Sequence, residues 1–106
     1  MSNPIRVLLV DDEERFVLNL AKLLRGRGFD VATALDGAAG VAAVENNDPV
    51  DVVLLDVKMP GMDGIEALRR IKEASPDTEV IMLTGHADVD TGIEAMREGA
   101  LDHLMK

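Results

Sequence analysis

The sequence has no cysteine, tryptophan or tyrosine, and only two phenylalanines. Without cysteine there is no disulfide, no thiolate nucleophile and no cysteine-based zinc site, a composition that suits the cytoplasm. Long apolar runs are missing too. The longest hold four or five residues, far short of the ~20 needed to span a bilayer. The opening MSNPIR lacks a charged segment leading into an apolar stretch, so no secretory signal is read. Positive charge is scarce: 11 basic residues face 20 acidic ones, for a net charge of -9. Such a surface repels phosphate backbones, and direct nucleic-acid binding by this chain is not expected. Clustered acids can instead hold a hard cation such as Mg²⁺, although most surface acids are merely solvated.

Within these limits the chain reads as one folded domain over residues 1–106. The length is close to a common domain size, and 47% of the residues are hydrophobic. Apolar runs alternate with helical patterns. Arg6 to Asp11 is an apolar strand. A helix from Glu13 to Arg27 follows, with Phe16, Leu20, Leu23 and Leu24 spaced for one face and Gly26 and Gly28 as its stop. Asp30 to Ala34 alternates polar and apolar, as an edge strand does. Asp36-Gly37 opens a small-residue helix through Val44. Val50 to Asp56 is a third strand, apolar enough to be buried on both faces. Asp63 is a natural N-cap for a helix from Gly64 to about Ala74, with Ile65, Leu68 and Ile71 inward. Val80 to Thr84 is a fourth strand, Asp88 to Glu98 a helix with Val89, Ile93 and Met96 inward, and Leu101 to Lys106 a fifth strand. Short connections imply right-handed crossovers, hence an α/β fold with an open parallel five-stranded sheet and helices on both faces. The polar second strand suits the order 2-1-3-4-5.

Open sheets of this kind bind ligands beyond the carboxyl ends of their strands. Asp11 and Asp12, Asp56, Thr84 and Lys106 fall on that rim, whereas the second strand ends in Ala34 and Leu35. Each polar residue has a structural reading when taken alone. Asp11 with Glu14 resembles a capping box, Asp56 could turn into solvent, Thr84 could serve a turn, and Lys106 could be a fringe charge. Taken together, three carboxylates, a hydroxyl and an ammonium match a metal-assisted phosphoryl site. Mg²⁺ takes few protein carboxylates and completes its octahedron with water and phosphate oxygens. A carboxylate can attack phosphorus to give an aspartyl phosphate. The transfer itself needs mainly positioning and charge neutralisation.

The segments VLLVDDEE, DVVLLDVKMPGMDG and VIMLTGHADVDTGIEAMREGALDHLMK resemble the receiver domain of two-component response regulators. The similarity covers essentially the whole chain and is nearest to regulators of the nitrogen type and related transcriptional systems. It implies the flavodoxin-like receiver fold with strand order 2-1-3-4-5. It also implies Asp56 as phospho-acceptor and Asp12 as a direct ligand of Mg²⁺ (or Mn²⁺). Asp11 would act nearby through water, and the backbone carbonyl of Lys58 would complete the protein ligands. Thr84 would bind a phosphoryl oxygen and move inward on activation, and Lys106 would pair with the phosphoryl group. The implied donor is a phosphohistidine on a sensor histidine kinase or phosphotransfer protein. The implied setting is a cytoplasmic, transcription-linked regulator, with homodimerisation open and no membrane contact. Self-modification without turnover of a diffusible product makes such a domain a signalling module rather than an enzyme.

Three competing readings differ in the chemistry they need. A phosphatase of the haloacid dehalogenase type also uses a strand-end aspartate and Mg²⁺, but needs a second Asp two residues on, where this chain has Lys58. A nucleotide- or flavin-binding domain would want a glycine-rich loop after the first strand, where DDEERF stands instead. A receiver used only as an interaction module would not need the full acid set. Departures from the family pattern raise further expectations. His103 stands where an aromatic usually reports the threonine's position, and is expected to act as the switch residue. Gly92 costs a helix about 1 kcal/mol relative to alanine, so a locally soft fourth helix is expected. Lys58 and His86 lie two positions after Asp56 and Thr84, where the family tunes phosphoryl lifetime. The family's fifth helix is absent from this chain. Apolar sheet surface beside the first helix should then stand uncovered, as in a fragment of a longer regulator that has lost its output domain.

Overall fold

A computed structural model of the protein describes residues 3–46, 49–85 and 88–106. Five strands, β1 (Arg6–Val10), β2 (Asp30–Ala34), β3 (Val52–Asp56), β4 (Glu79–Thr84) and β5 (Asp102–Met105), alternate with four helices, α1 (Glu14–Gly26), α2 (Gly37–Glu45), α3 (Gly64–Ala74) and α4 (Val89–Arg97). The strands form one parallel sheet in the order β2-β1-β3-β4-β5. The polar strand lies at an edge and the apolar runs lie inside, as hydrophobic patterning requires.

The two faces of the sheet are filled by alternate residues of each strand. Leu8, Val10, Val53, Leu55, Val80 and Met82 point to one face and pack with residues of α2, α3 and α4 into the larger cluster. Val7, Leu9 and Val31 point to the other face, against Val17 and Ala21 of α1. On that second side Leu54 and Ile81 are only partly covered, and Leu104 is exposed. The uncovered apolar surface expected there is therefore present.

Helix faces required two corrections. On α1 the buried residues are Val17 and Ala21, with Leu20 and Leu24 at the margin, while Leu23 is 56% exposed. The apolar arc of this helix is wider than the strip of sheet it covers. On α4, Ile93 and Met96 do not point inward: they are exposed, and among the described side chains the buried positions are Gly92 and Ala95. The reason is space. A Cβ added at Gly92 would already lie 3.0 Å from Thr84 Cγ2, so this helix meets the sheet through its smallest residues. The Val89 side chain and His86 lie outside the described residues. The expected cap holds for α3, where Asp63 accepts from the Glu66 amide, and Asp36 caps α2 in the same way, accepting from the Ala39 amide. The capping box at α1 does not form: Glu13 occupies the N-cap without a side-chain bond, and Asp11 bonds elsewhere.

Candidate functional site

Asp11 follows β1 directly, and its amide still pairs with Ala34 of β2 at 3.1 Å. Its side chain is 1% exposed. One carboxylate oxygen, Oδ1, accepts from the Glu13 amide at 2.9 Å, fixing the turn into α1. Asp12, next in the chain, is exposed. Asp56 ends β3 in register with Leu83 and is 6% exposed. A long contact of 3.4 Å joins its Oδ1 to the Lys58 amide. The chain then turns away through Gly61, whose φ of +83 is a left-handed conformation that glycine adopts at little cost. The turn closes where the Gly64 amide donates to the Val57 carbonyl at 3.0 Å. A Cβ at Gly64 would lie 2.6 Å from that oxygen, so glycine is required for α3 to start so close to β3. The MPGMDG stretch thus turns the chain away just past Asp56, which stays at the strand tip with only its edge exposed.

Lys106 comes from the opposite end of the chain. Its amide donates to the Thr84 carbonyl at 2.9 Å, carrying β5 past β4 and setting the side chain over the rim. The ammonium lies 2.8 Å from Asp11 Oδ2 and 3.9 Å from Asp56 Oδ2, and it also pairs with Glu13. The Phe16 ring lies beneath it, 4.7 Å from Nζ to centroid, within cation–π range. One oxygen from each of Asp11, Asp12 and Asp56 falls within 4.8 Å of the others.

Electrostatics follow from this crowding. Burial, and then the neighbouring Asp11 carboxylate, push the Asp56 carboxyl up to about 6, against the opposing pull of Lys106 and the Lys58 amide. Burial works against the Lys106 charge, but the Asp11 and Glu13 carboxylates outweigh it and hold this ammonium above the usual lysine range. A carboxyl pushed up by burial and by a neighbouring carboxylate is relieved by a cation, and three oxygens at this spacing suit a small hard one. The donor set therefore fits Mg²⁺.

The other expected residues lie near the cluster without joining it. The Thr84 hydroxyl is fully buried and donates toward the Leu104 carbonyl at 3.3 Å and Met105 Sδ at 3.6 Å, so it is turned toward β5. His103 is half-buried beside Gly92, and its Nδ1 is buried without a hydrogen-bond partner among the described residues. Lys58 presents its amide to Asp56, and its side chain lines a cavity of about 440 Å³ between α3 and α4 with Glu66, Arg69 and Glu94. That cavity does not include the acid cluster. Glu13 is the residue sequence reading passed over. In DDEE it looks like one more acid at a helix start, and only the return of β5 brings a lysine to it.

The match to a family model is decisive: residues 7–106 fit the response regulator receiver domain. The chain belongs to this family. It is 41% identical over 102 residues to the transcriptional regulatory protein ZraR of Klebsiella oxytoca, covering 96% of this chain and 23% of that protein. It is 44% identical over 108 residues to a protein-glutamate methylesterase/protein-glutamine glutaminase of Natronomonas pharaonis, covering 99% of this chain and 30% of that protein. Among solved structures, the receiver domain of NtrX from Brucella abortus superposes with a TM-score of 0.86 at 34% identity, covering 94% of this chain and 84% of that one. The chain thus spans about a quarter of the length of these two curated relatives. The haloacid dehalogenase alternative finds no support. No helix among the described residues is long and apolar enough to cross a membrane.

Proposed function

We propose that this receiver is switched by phosphorylation of Asp56. The observation that carries the reading is the acid cluster with its one ammonium: three carboxylate oxygens within 4.8 Å, and Lys106 reaching Asp11 and Asp56 from β5. An Asp56 oxygen attacks the phosphorus of a phosphohistidine on a sensor kinase or phosphotransfer protein. The new O–P bond forms as the N–P bond breaks, and the electron pair returns to the imidazole. Asp11, Asp12, Asp56 and the Lys58 carbonyl would hold Mg²⁺, which supplies charge neutralisation among the carboxylates and at the phosphoryl oxygens. Lys106 pairs with the phosphoryl group. Thr84 rotates its hydroxyl from Leu104 toward a phosphoryl oxygen, and His103 beside it adjusts. Hydrolysis of the acyl phosphate resets the switch, without turnover of a diffusible product.

Treatment with a small phosphodonor and Mg²⁺ should add one phosphoryl group, detected as a single mass increment. Omission of Mg²⁺ or the change Asp56→Asn should abolish it. Retention of the increment in Asp56→Asn would overturn the assignment.

We read residues 1–106 as the receiver module of a longer cytoplasmic regulator whose output domain, transcriptional by analogy with ZraR, lies outside this sequence. In that protein a helix following Lys106 would cover Leu54, Ile81 and Leu104 and the flank of α1 at Leu23. A chain extended through that helix should unfold at a higher urea concentration than residues 1–106; equal midpoints would remove the argument.

A further inference from the structure

Lys106 sits in a position of competing demands. Its ammonium has three N–H donors, and the contacts around it lie mostly on the α1 side: Asp11, Glu13 and the face of Phe16. Asp56, at 3.9 Å, is the far partner. Glu13 is not one of the three acids whose oxygens converge. Its side chain is 65% exposed, against 1% for Asp11, so the two carboxylates are not equivalent. Asp11 is fixed, with its other oxygen held by the Glu13 amide. Glu13 reaches over from the N-cap of α1 and is free to swing back into water.

We propose that Glu13 is a positioning residue for Lys106. It latches the ammonium on the α1 side of the cluster, over Phe16, while Asp56 is unmodified, and gives it up when a phosphoryl group on Asp56 competes for the same charge. The inference rests on the reading of Asp56 as phospho-acceptor. A latch made of an exposed ion pair is weak by nature, because side-chain entropy and solvent offset most of the Coulomb attraction. It can therefore set the resting position of Lys106 without blocking activation. Asp11, buried and tied, remains as the contact that keeps Lys106 at the rim in both states.

The test uses the protein with Glu13→Gln and Glu13→Asp, and two readouts. The first is the side-chain NMR of Lys106 in the ligand-free protein. In the wild type the terminal methylene and ammonium signals should be shifted by the Phe16 ring, and Glu13→Gln should reduce that shift. Glu13→Asp, which keeps the charge but shortens the reach, should behave like Glu13→Gln; behaviour like the wild type would mean that the charge alone suffices and would overturn the latch. The second readout is the beryllofluoride concentration that half-saturates the protein at saturating Mg²⁺, as a mimic of the phosphoryl group. Glu13→Gln should lower it about 2- to 5-fold, the range that follows from releasing an exposed ion pair. Unchanged Lys106 signals, or an unchanged or raised midpoint, would overturn the proposal. Failure of beryllofluoride to bind the wild type, or its binding to Asp56→Asn, would strike the assignment of Asp56 instead, and the ligand-free Lys106 signals would still decide for or against the latch.

Discussion

The two ends of the sheet treat their polar residues in opposite ways. At the amino end several polar groups have partners of complementary character. Thr78 is 2% exposed, yet its hydroxyl donates to the Val50 carbonyl at 2.8 Å and accepts from Ser75. The Lys72 ammonium donates to the carbonyls of Pro76 and Thr78 at 2.8 and 2.9 Å. The Arg6 amide donates to Asp51, and its guanidinium pairs with Asp30. At the carboxyl end like charges are stacked: Asp11, Asp12 and Asp56 converge with one ammonium to oppose them. These amino-end groups are paired within the chain. At the carboxyl end the carboxylates outnumber the ammonium that faces them, an imbalance that a bound cation would relieve.

The largest effect that would sharpen this contrast is expected at the satisfied end. Thr78→Val keeps the shape and removes the hydroxyl, leaving the Val50 carbonyl and the Ser75 hydroxyl without it. Urea unfolding should show a loss of about 1–3 kcal/mol. A neutral result would mean that the amino-end network is decorative and the contrast false.

The opposite sign is expected at the strained end. In metal-free protein at pH 7.5, Asp56→Asn should raise stability, by about 1 kcal/mol after allowance for residual solvent screening. The pH dependence follows from the same strain. The folded carboxyl titrates near 6, above its ordinary value of 3.8. Between those values the native state therefore holds a proton that the unfolded state has lost. Metal-free wild type should accordingly gain stability relative to Asp56→Asn as pH falls from about 7 to about 4. Mg²⁺ should reverse the ranking by stabilising the wild type more than Asp56→Asn, read as a thermal shift at pH 7.5. Equal shifts in the two proteins would remove Asp56 from the metal site.

The smallest effect concerns Gly92. Alanine there gains about 1 kcal/mol of helix propensity, but its Cβ would crowd Thr84 Cγ2 at 3.0 Å and touch His103 Cγ at 3.5 Å. Net stability should change by less than the propensity gain, while the methyl signal of Thr84 and the ring signals of His103 shift. A full gain with both signals unmoved would show that Gly92 reflects helix softness alone.

Much of this could be read from the chain before folding. Strand and helix order, the parallel sheet and the polar edge strand follow from local patterning, because apolar runs and helical periodicity act over a few residues. The rim acids were legible because each ends a strand, and topology brings strand ends together whatever the details. The expectation of Ile93 and Met96 on the inner face of α4 fails because periodicity ranks residues by hydrophobicity, whereas at these turns the sheet leaves room for Gly92 and Ala95. The width of the buried strip on α1 was misread for the same reason: Leu23 is apolar in sequence, but sheet coverage decides what is buried.

The sequence by itself determined the elements, their order and the set of charged residues that must share one rim. Only the tertiary structure decided how those charges are paired. Lys106 lies 93 positions from Glu13, and no local pattern relates them. Their contact exists because β5 pairs with β4 and carries the last residue back over the start of α1. Ion pairing depends on distance in space, and at this range space is set by the fold.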